Sequence, residues 1–551
     1  MVSVGWRGPC TEPPDLLHHF LSLSIQAYQD ACSARAGARA SGMELDEMNC
    51  NGRKVVIVGG GIAGLCSAVY ALKCGYDVEV LEMNDIAGGL AMSWRRGPYT
   101  FETCLHWLFG SNKDEEFHST WKEVCDIGKL TFVDAEEYLR IESGSDCLHI
   151  YTDVDRLEAE LLRRMPQDVA VLRELTHSIR MLAKFRMLDP TGGLSENWLN
   201  MLRDLPIFPL IGRLTRISGK EYGERFSDPL LRSFFSNGDI GKMSAIAMII
   251  SLAWMSRHNA GYCIGGSRAL IRLIEEQIIS LGGKIRFNAR VGRVLVENDV
   301  AVGVVLAGGE TVRADWVISA ADGHATIFDL LGGKYIDAST RNRYQYKELF
   351  ASYLQVSLGV GMDLSQQASM LSMLLDTPLQ VDPETESESV SFRFFHFDPT
   401  FAPAGKTAVT SHLSTRNYQY WADLRHFDIA TYRAEKKRVA AAVIDALEKR
   451  VPGVRDAIEV VDVSTPASVM RYTGNWRGAM EGWLLEPGSG FKNLPNTLPG
   501  LKKFLMVGQW VMPGGGLPSG PMTARPAVKA MCKQDHIAFD LRAEQDELVN
   551  A

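Results

Sequence analysis

The stretch from Lys54 to Gly89, KVVIVGGGIAGLCSAVYALKCGYDVEVLEMNDIAGG, constrains the fold more than any other part of the chain. Val55, Val56, Ile57 and Val58 form an apolar, β-branched run without alternation, the pattern of a strand buried on both faces of a parallel sheet. The run leads straight into Gly59, Gly61 and Gly64, spaced G-x-G-x-x-G, and then into Leu65, Ala68 and Leu72 at helical spacing. Strand, glycine turn and helix in that order predict a dinucleotide-binding unit. Gly59 permits the tight turn, Gly61 lets a pyrophosphate reach the backbone, and Gly64 lets helix and strand pack closely. The diphosphate then rests on the amides and positive dipole end of the helix. A second strand, Asp77 to Leu81, ends in Glu82, 18 residues after Gly64. That is close to the expected place of the acid that bonds the adenosine ribose, and a glutamate there argues against a 2′-phosphate.

The residues after Glu82 separate two cofactors. Met83 to Gly89, MNDIAGG, resembles the extended fingerprint of the FAD-containing amine oxidase and phytoene desaturase superfamily, in which a double glycine follows the ribose acid. Leu90 stands where that family often has a basic residue. Further on, Arg95 to Ser111 resembles the family segment with an acid and then a histidine beside a glycine. This implies Glu102 and His106 near the flavin or substrate, with a purely structural His106 as an equal alternative. Cys263 to Thr326 resembles the second FAD segment, implying the Val291 backbone on the adenine and Ser319 to Asp322 at a strand end near the cofactor. Thr465 to Gly482 resembles the late segment that returns to the flavin. In the closing segment a strand ends at Gly508, a loop runs from Pro513 to Gly520, and a helix begins near Met522, again as in that family.

The resemblance spans roughly residues 54 to 535 and points to the phytoene desaturase, carotenoid isomerase and retinol saturase group. It implies FAD held by Gly59, Gly61, Ile62, Ala63, Gly64, Glu82, Met83, Gly88, Gly89, Leu90, Val291, Gly508, Gly515, Gly516, Leu517 and Pro518. The expected fold class is α/β, a Rossmann-like FAD-binding domain assembled from segments 53–145, 261–340 and 491–540. An α+β substrate domain would be built from 146–260, helical by its three and four residue spacing, and 341–490, with partial strand alternation. Residues 1–52 read as an appendage, poorly ordered or peripheral.

Composition narrows the partners. A net charge of −8 gives no basic footprint, so nucleic acid is not expected. The 10 cysteines show no C-x-x-C spacing and read as reduced thiols of a cytoplasmic protein. No run reaches the roughly 18 apolar residues that span a bilayer, although Ala245–Met255 and Leu205–Leu214 leave a peripheral membrane contact open. The acidic run from Asp382 to Glu388 reads as a solvated loop, and the histidines form no metal-ligand pattern.

The expected activity is hydride exchange between flavin and a carbon–carbon bond of an elongated apolar, polyene or isoprenoid-like substrate, with the electron acceptor left open. His106, then Glu102 and His396, are the candidates for moving a proton at the substrate carbon. Three alternatives stand beside it: a redox-neutral isomerase requiring reduced FAD, a flavin or apolar-ligand binder without turnover, and an amine oxidase. The last needs an aromatic cage near the C-terminal loop, where the sequence offers Trp510.

Overall fold

The computed structural model describes residues 52–185, 203–489 and 493–541. The appendage expected over 1–52 lies outside them except for Gly52, as do the last three residues of the apolar pattern ending at Leu188.

The apolar run at Lys54–Val58 is the central strand of a five-stranded parallel sheet. The order across the sheet is Lys284–Arg286, Asp77–Leu81, Lys54–Val58, Trp316–Ser319 and Phe504–Met506. Alternate residues serve different cores. Val55 and Ile57 pack with the helices Ile62–Lys73, Gly266–Ser280 and Ser519–Asp535; Val56 and Val58 pack with the antiparallel sheet of Val291–Glu297, Val300–Leu306 and Thr311–Arg313. Both faces are dry, which explains why the strand carries no polar position. The closing helix starts at Ser519 rather than near Met522, because Pro521 is accommodated in its first turn, where its missing N–H costs nothing.

The second layer is a seven-stranded mixed sheet. Its order is Ile458–Ser464, Ser352–Val360, Thr407–Thr415, Thr385–Phe394, Met370–Asp382, Glu137–Ser143 and Asp146–Tyr151. All pairs are antiparallel except Met370–Asp382 with Glu137–Ser143. The boundary expected between 145 and 146 is thereby corrected. It falls in the turn of a hairpin whose two strands both belong to this sheet, so the substrate layer begins before Glu137.

One face of the sheet, including Leu354, Val356, Leu358 and Val360, packs against the helix Ile429–Arg450. Alternation turns Tyr353, Gln355 and Ser357 to the opposite side. The acidic run is corrected too: Met370–Asp382 and Thr385–Phe394 form a long hairpin there. Asp382 is buried at its turn, accepting from Thr415 Oγ1 (2.5 Å), Asn417 Nδ2 (3.2 Å) and Glu384 N (3.0 Å), while Glu384, Glu386 and Glu388 are exposed.

The helices between the two halves of the sheet close a separate apolar core. Ile246–Met255 sits inside it, with Ile246, Ile249 and Ala253 buried. The Ala245–Met255 segment is therefore core, whereas Leu205 is exposed and Phe208–Leu214 is a short, half-buried helix. No helix among the described residues is long and apolar enough to cross a membrane. None of the seven described cysteines forms a disulfide.

A buried carboxylate ties the far end of the parallel sheet. Asp535 accepts from Tyr76 Oη (3.0 Å), Trp316 Nε1 (2.8 Å) and Lys503 Nζ (2.5 Å), and Arg53 lies 3.3 Å away. Burial alone would raise its pKa, but the hydrogen bonds from Lys503, Trp316 and Tyr76 outweigh this and hold it below the ordinary value. A depressed folded pKa gives stability that is complete above the unfolded value of about 3.9 and is lost as pH falls through the lower folded value. Asp535→Ala, which orphans the buried Trp316 and Tyr76 donors, is expected to cost on the order of 3 kcal/mol at neutral pH. Denaturant melts should show that deficit shrinking below about pH 4; a constant deficit would argue against the linkage.

Candidate active site

The glycine turn shows which of its residues the protein needs and which it leaves open. At Gly64 a Cβ would lie 2.0 Å from the Gly59 carbonyl oxygen, so the helix–strand contact itself excludes a side chain. Gly59 has φ 98°, in the left-handed region that suits glycine. Gly61 differs from both. Its φ is −73°, and a Cβ would come no nearer than 3.9 Å to Gly89. Nothing in the chain forbids a side chain there; the space on that side belongs to the cleft. Gly61 is also the N-cap of Ile62–Lys73 and has no side-chain cap, so first-turn amides remain for a ligand.

Glu82, 4% exposed, accepts from Gly60 N (2.8 Å) on Oε2 and from Asn84 N (2.9 Å) and Nδ2 (2.8 Å) on Oε1. Three of roughly four acceptor positions are used, which leaves one on Oε2 for a hydroxyl. The backbone carbonyl of Glu82 accepts from Ala289 N (2.8 Å), which brings Val291 beside it. The double glycine folds back on the turn: Gly88 N donates to Gly60 O (2.9 Å), and a Cβ on Gly89 would lie 3.2 Å from Gly61 Cα. From the other end of the chain, Gly508 N donates to Thr523 Oγ1 (2.8 Å), and a Cβ on Gly508 would lie 3.1 Å from Ala63. The helix Ser519–Asp535 likewise starts without a side-chain cap.

These pieces enclose one cleft of about 570 Å³. Gly59, Gly61, Ile62, Ala63, Glu82 and Met83 line one part of it. Gly88, Gly89, Leu90, Val291, Gly508, Gly516 and Leu517 line it as well. Gly64, Gly515 and Pro518 do not: Gly64 is spent on helix packing, a Cβ on Gly515 would strike Glu481, and Pro518 caps the closing helix.

Away from Glu82, the cleft wall continues through Thr103, Cys104, His106, Tyr353 and Glu481. His106 is the sequence candidate that reaches the cleft. Its backbone carbonyl accepts from Arg393 NH2 (2.9 Å), and its ring lies 5.9 Å, edge-on, from His412. Burial, then the Arg393 guanidinium and His412, push its pKa well below the ordinary value, so it is neutral at physiological pH. Behind it, Gln355 Nε2 donates to Glu102 O (3.0 Å) and Ser357 Oγ (2.9 Å), which leaves Gln355 Oε1 to accept from His412 Nε2 (2.9 Å). His412 therefore carries its proton on Nε2.

Glu102 and His396 are placed elsewhere. Glu102 is buried and outside the cleft wall; its carboxylate accepts from Ser267 N (2.7 Å), at the start of Gly266–Ser280, and from Tyr262 Oη (3.2 Å). Its family-like position reflects a helix-terminus contact, which opposes but does not overcome the burial that raises its pKa. His396 bonds Gln367 O at 3.1 Å, also outside the wall. Trp510 is joined by Trp476 (6.4 Å), Trp483 (5.4 Å) and Tyr344 (6.1 Å), aromatics that sequence distance concealed. Its Nε1 is buried without a partner among the described residues.

Sequence reasoning passed over Tyr353, His412 and Glu481. The two strand residues had no local signal beyond alternation. Glu481 did have one, an acid between Met480 and Gly482 in the segment that returns to the cleft.

An uncapped helix, a ribose-type carboxylate with a spare acceptor, two glycine loops in backbone contact and an orphaned indole N–H are the donor set of an FAD site. They define an FAD-dependent oxidoreductase with a dinucleotide fold. The model of the family described as flavin containing amine oxidoreductase matches residues 62–464, and the chain belongs to that family. It is 22% identical to a chloroplastic prolycopene isomerase of Arabidopsis thaliana, over 84% of this chain and 80% of that protein. It is 25% identical to a neurosporene-forming phytoene desaturase of Cereibacter sphaeroides, over 84% of this chain and 92% of that one. Among solved structures, cyclohexylamine oxidase of Brevibacterium oxydans shares the fold, with a TM-score of 0.55 and 14% identity over 88% of this chain and 99% of that one.

The contrast between the glycines is testable. Gly61→Val should fold with a loss of about 1 kcal/mol, the scale of a poorer cap, yet purify almost free of FAD. Glu82→Ala should also lose most of its flavin. Full yellow holoenzyme from both variants, measured by absorbance per chain, would overturn the site.

Proposed function

We propose that the enzyme exchanges a hydride between FAD and a carbon–carbon bond of an elongated apolar substrate of polyene or isoprenoid type. The observation that carries this reading is the low charge of the wall beyond the nucleotide turn: among Thr103, Cys104, His106, Tyr353 and Glu481, Glu481 alone, raised to about 7 by burial, carries charge near neutral pH. His106 is held uncharged, burial pushes the Cys104 thiol up beyond ionisation, and Leu90, Met480, Leu517 and Tyr353 complete the surface. Such a wall offers a charged substrate little compensation for lost water, whereas an apolar chain gains by entering. The relatives named for prolycopene and phytoene support the same substrate class.

When bound, FAD supplies the hydride acceptor or donor. The first-turn amides of Ile62–Lys73 would hold its diphosphate, Glu82 Oε2 a ribose hydroxyl, the Val291 segment the adenine, and Gly508, Gly516 and Leu517 the far end. His106, fixed through its carbonyl by Arg393, shapes the wall and excludes water. As a neutral ring it is suited to orient or accept rather than to give up a proton at pH 7.

Anaerobic holoenzyme offered polyene, isoprenoid and unsaturated-lipid candidates should have its oxidised flavin band bleached by a polyene and left unchanged by primary amines. Bleaching by amines alone would replace this reading with an amine oxidase. Turnover only by the dithionite-reduced enzyme would indicate saturation or isomerisation, which product mass separates.

A further inference from the structure

We propose that Glu481 is the proton-exchanging group of the cleft, serving the carbon next to the one that exchanges the hydride. The inference rests on the flavin and carbon–carbon reading above and names the residue that completes it.

The other carboxyls of the cleft wall are committed. Glu82 accepts from Gly60 and Asn84; Asp322, although burial raises it to about 7, is held as the acceptor of Ala325 N (2.8 Å) and Trp476 N (2.8 Å); and Asp329 is exposed to solvent. The Glu481 side chain has no hydrogen bond or ion pair among the described residues, although its residue is only partly exposed. Its backbone, by contrast, is fixed. A Cβ on Gly515 would lie 2.7 Å from Glu481 O and 2.9 Å from Glu481 Cβ, so the C-terminal glycine loop is pressed against it. The next residues are pinned as Phe350 N donates to Gly482 O (3.0 Å) and Gly514 N donates to Trp483 O (3.1 Å). A rigid base carrying a free carboxyl is the arrangement a proton-transfer group requires.

The surroundings set when it titrates. The ionisable groups within electrostatic reach of it are the Asp239 carboxylate, itself bonded by Arg416 (2.5 Å), and the Cys104 thiol; the facing loop contributes uncharged Gln509 and Gly515. Burial, then the Asp239 charge, push the Glu481 pKa up to about 7. A group there can both give and take a proton at neutral pH. Glu102 and the three histidines discussed above cannot do both, being committed to helix and backbone contacts or held neutral.

The balance is closed. Converting CH–CH to C=C removes a hydride from one carbon and a proton from its neighbour. The hydride is the flavin's share, and the electron pair of the second C–H bond becomes the new π bond. That proton passes to a Glu481 carboxylate oxygen. Saturation runs the same balance backwards, the carboxylic acid protonating the second carbon.

The test uses FAD-loaded protein and its oxidised absorbance band, titrated between about pH 5 and 9. Burial also raises Asp322, in the same cleft, to about 7, so the titration is read in an Asp322→Asn background, which should show a one-proton spectral transition near 7. Glu481→Gln should abolish it at unchanged FAD content and melting temperature, and Asp239→Asn should move it to lower pH by removing a like charge. A transition that persists when Glu481→Gln is added to the Asp322→Asn background, or that is missing from that background, overturns the proposal. With a substrate that bleaches wild type, Glu481→Gln should slow reduction about 100-fold and flatten its pH dependence; equal rates overturn it. If no polyene bleaches the oxidised enzyme and none is converted by the dithionite-reduced enzyme while the titration behaves as described, Glu481 stands as the exchanging group and the polyene reading falls.

Discussion

The contact on which the rest depends is the approach of Ile62–Lys73 to the end of the central strand, where a Cβ on Gly64 would stand 2.0 Å from Gly59 O. No side chain larger than hydrogen permits that approach. It aims the helix N-terminus at the cleft and leaves its free amides as the strongest local attraction for an anion. The neighbouring helices are then registered by similar gaps. A Cβ on Gly520 would lie 2.8 Å from Ile62 Cγ1, and one on Gly283 would lie 2.6 Å from Leu72 Cδ1. The helix layer is thus set by absent side chains, and the cleft geometry follows from it.

A second constraint is electrostatic. Arg393 is buried, and an isolated buried guanidinium would be costly. Here it donates to Leu105 O (2.7 Å) and His106 O (2.9 Å) and lies over the rings of Tyr262 (4.9 Å) and Phe395 (5.1 Å). Glu102 is raised by its burial, with Arg393 and Ser267 opposing that shift. Arg393 fixes the loop that carries His106 and adds to the burial that keeps that imidazole neutral. Positioning and tuning come from the same cation, which is why residues that look catalytic in the chain, Glu102 above all, stand behind the site rather than in it.

The nucleotide half was legible because its physics is local. Gly59 to Gly64, Glu82 and the double glycine act within one strand–turn–helix–strand unit, so spacing alone carries the information. The reacting end was less legible because it is assembled across the chain. Tyr353 and His412 come from paired strands, Cys104 and His106 from the segment after Tyr99–Glu102, and Glu481 from a loop pressed against Gly515. The hairpin at 137–151 was missed for a related reason: its partner strand, Met370–Asp382, is more than two hundred residues away. Asp382 read as solvated because the hydroxyl and amide that satisfy it, Thr415 and Asn417, lie beyond any local window.

That division also bears on how one fold can serve unlike substrates. The nucleotide half is held by backbone contacts that tolerate little change, since glycines at 59 and 64 admit no substitute. The opposite wall is made of side chains from one strand, Tyr353, and from loops, Cys104, His106 and Glu481, and the nucleotide contacts do not fix their identity. Amines need charge compensation and an aromatic enclosure, whereas an apolar chain needs neutrality and one well-placed proton carrier. In this chain His106 is neutral, Cys104 is un-ionised, and Glu481 is poised between protonation states. The aromatic cluster around Trp510 packs mainly upon itself, with Trp483 Nε1 donating to Trp510 O at 3.2 Å. On the proposed reading, the charge state of a few side chains on the opposite wall would select the chemistry performed by a cofactor common to the family.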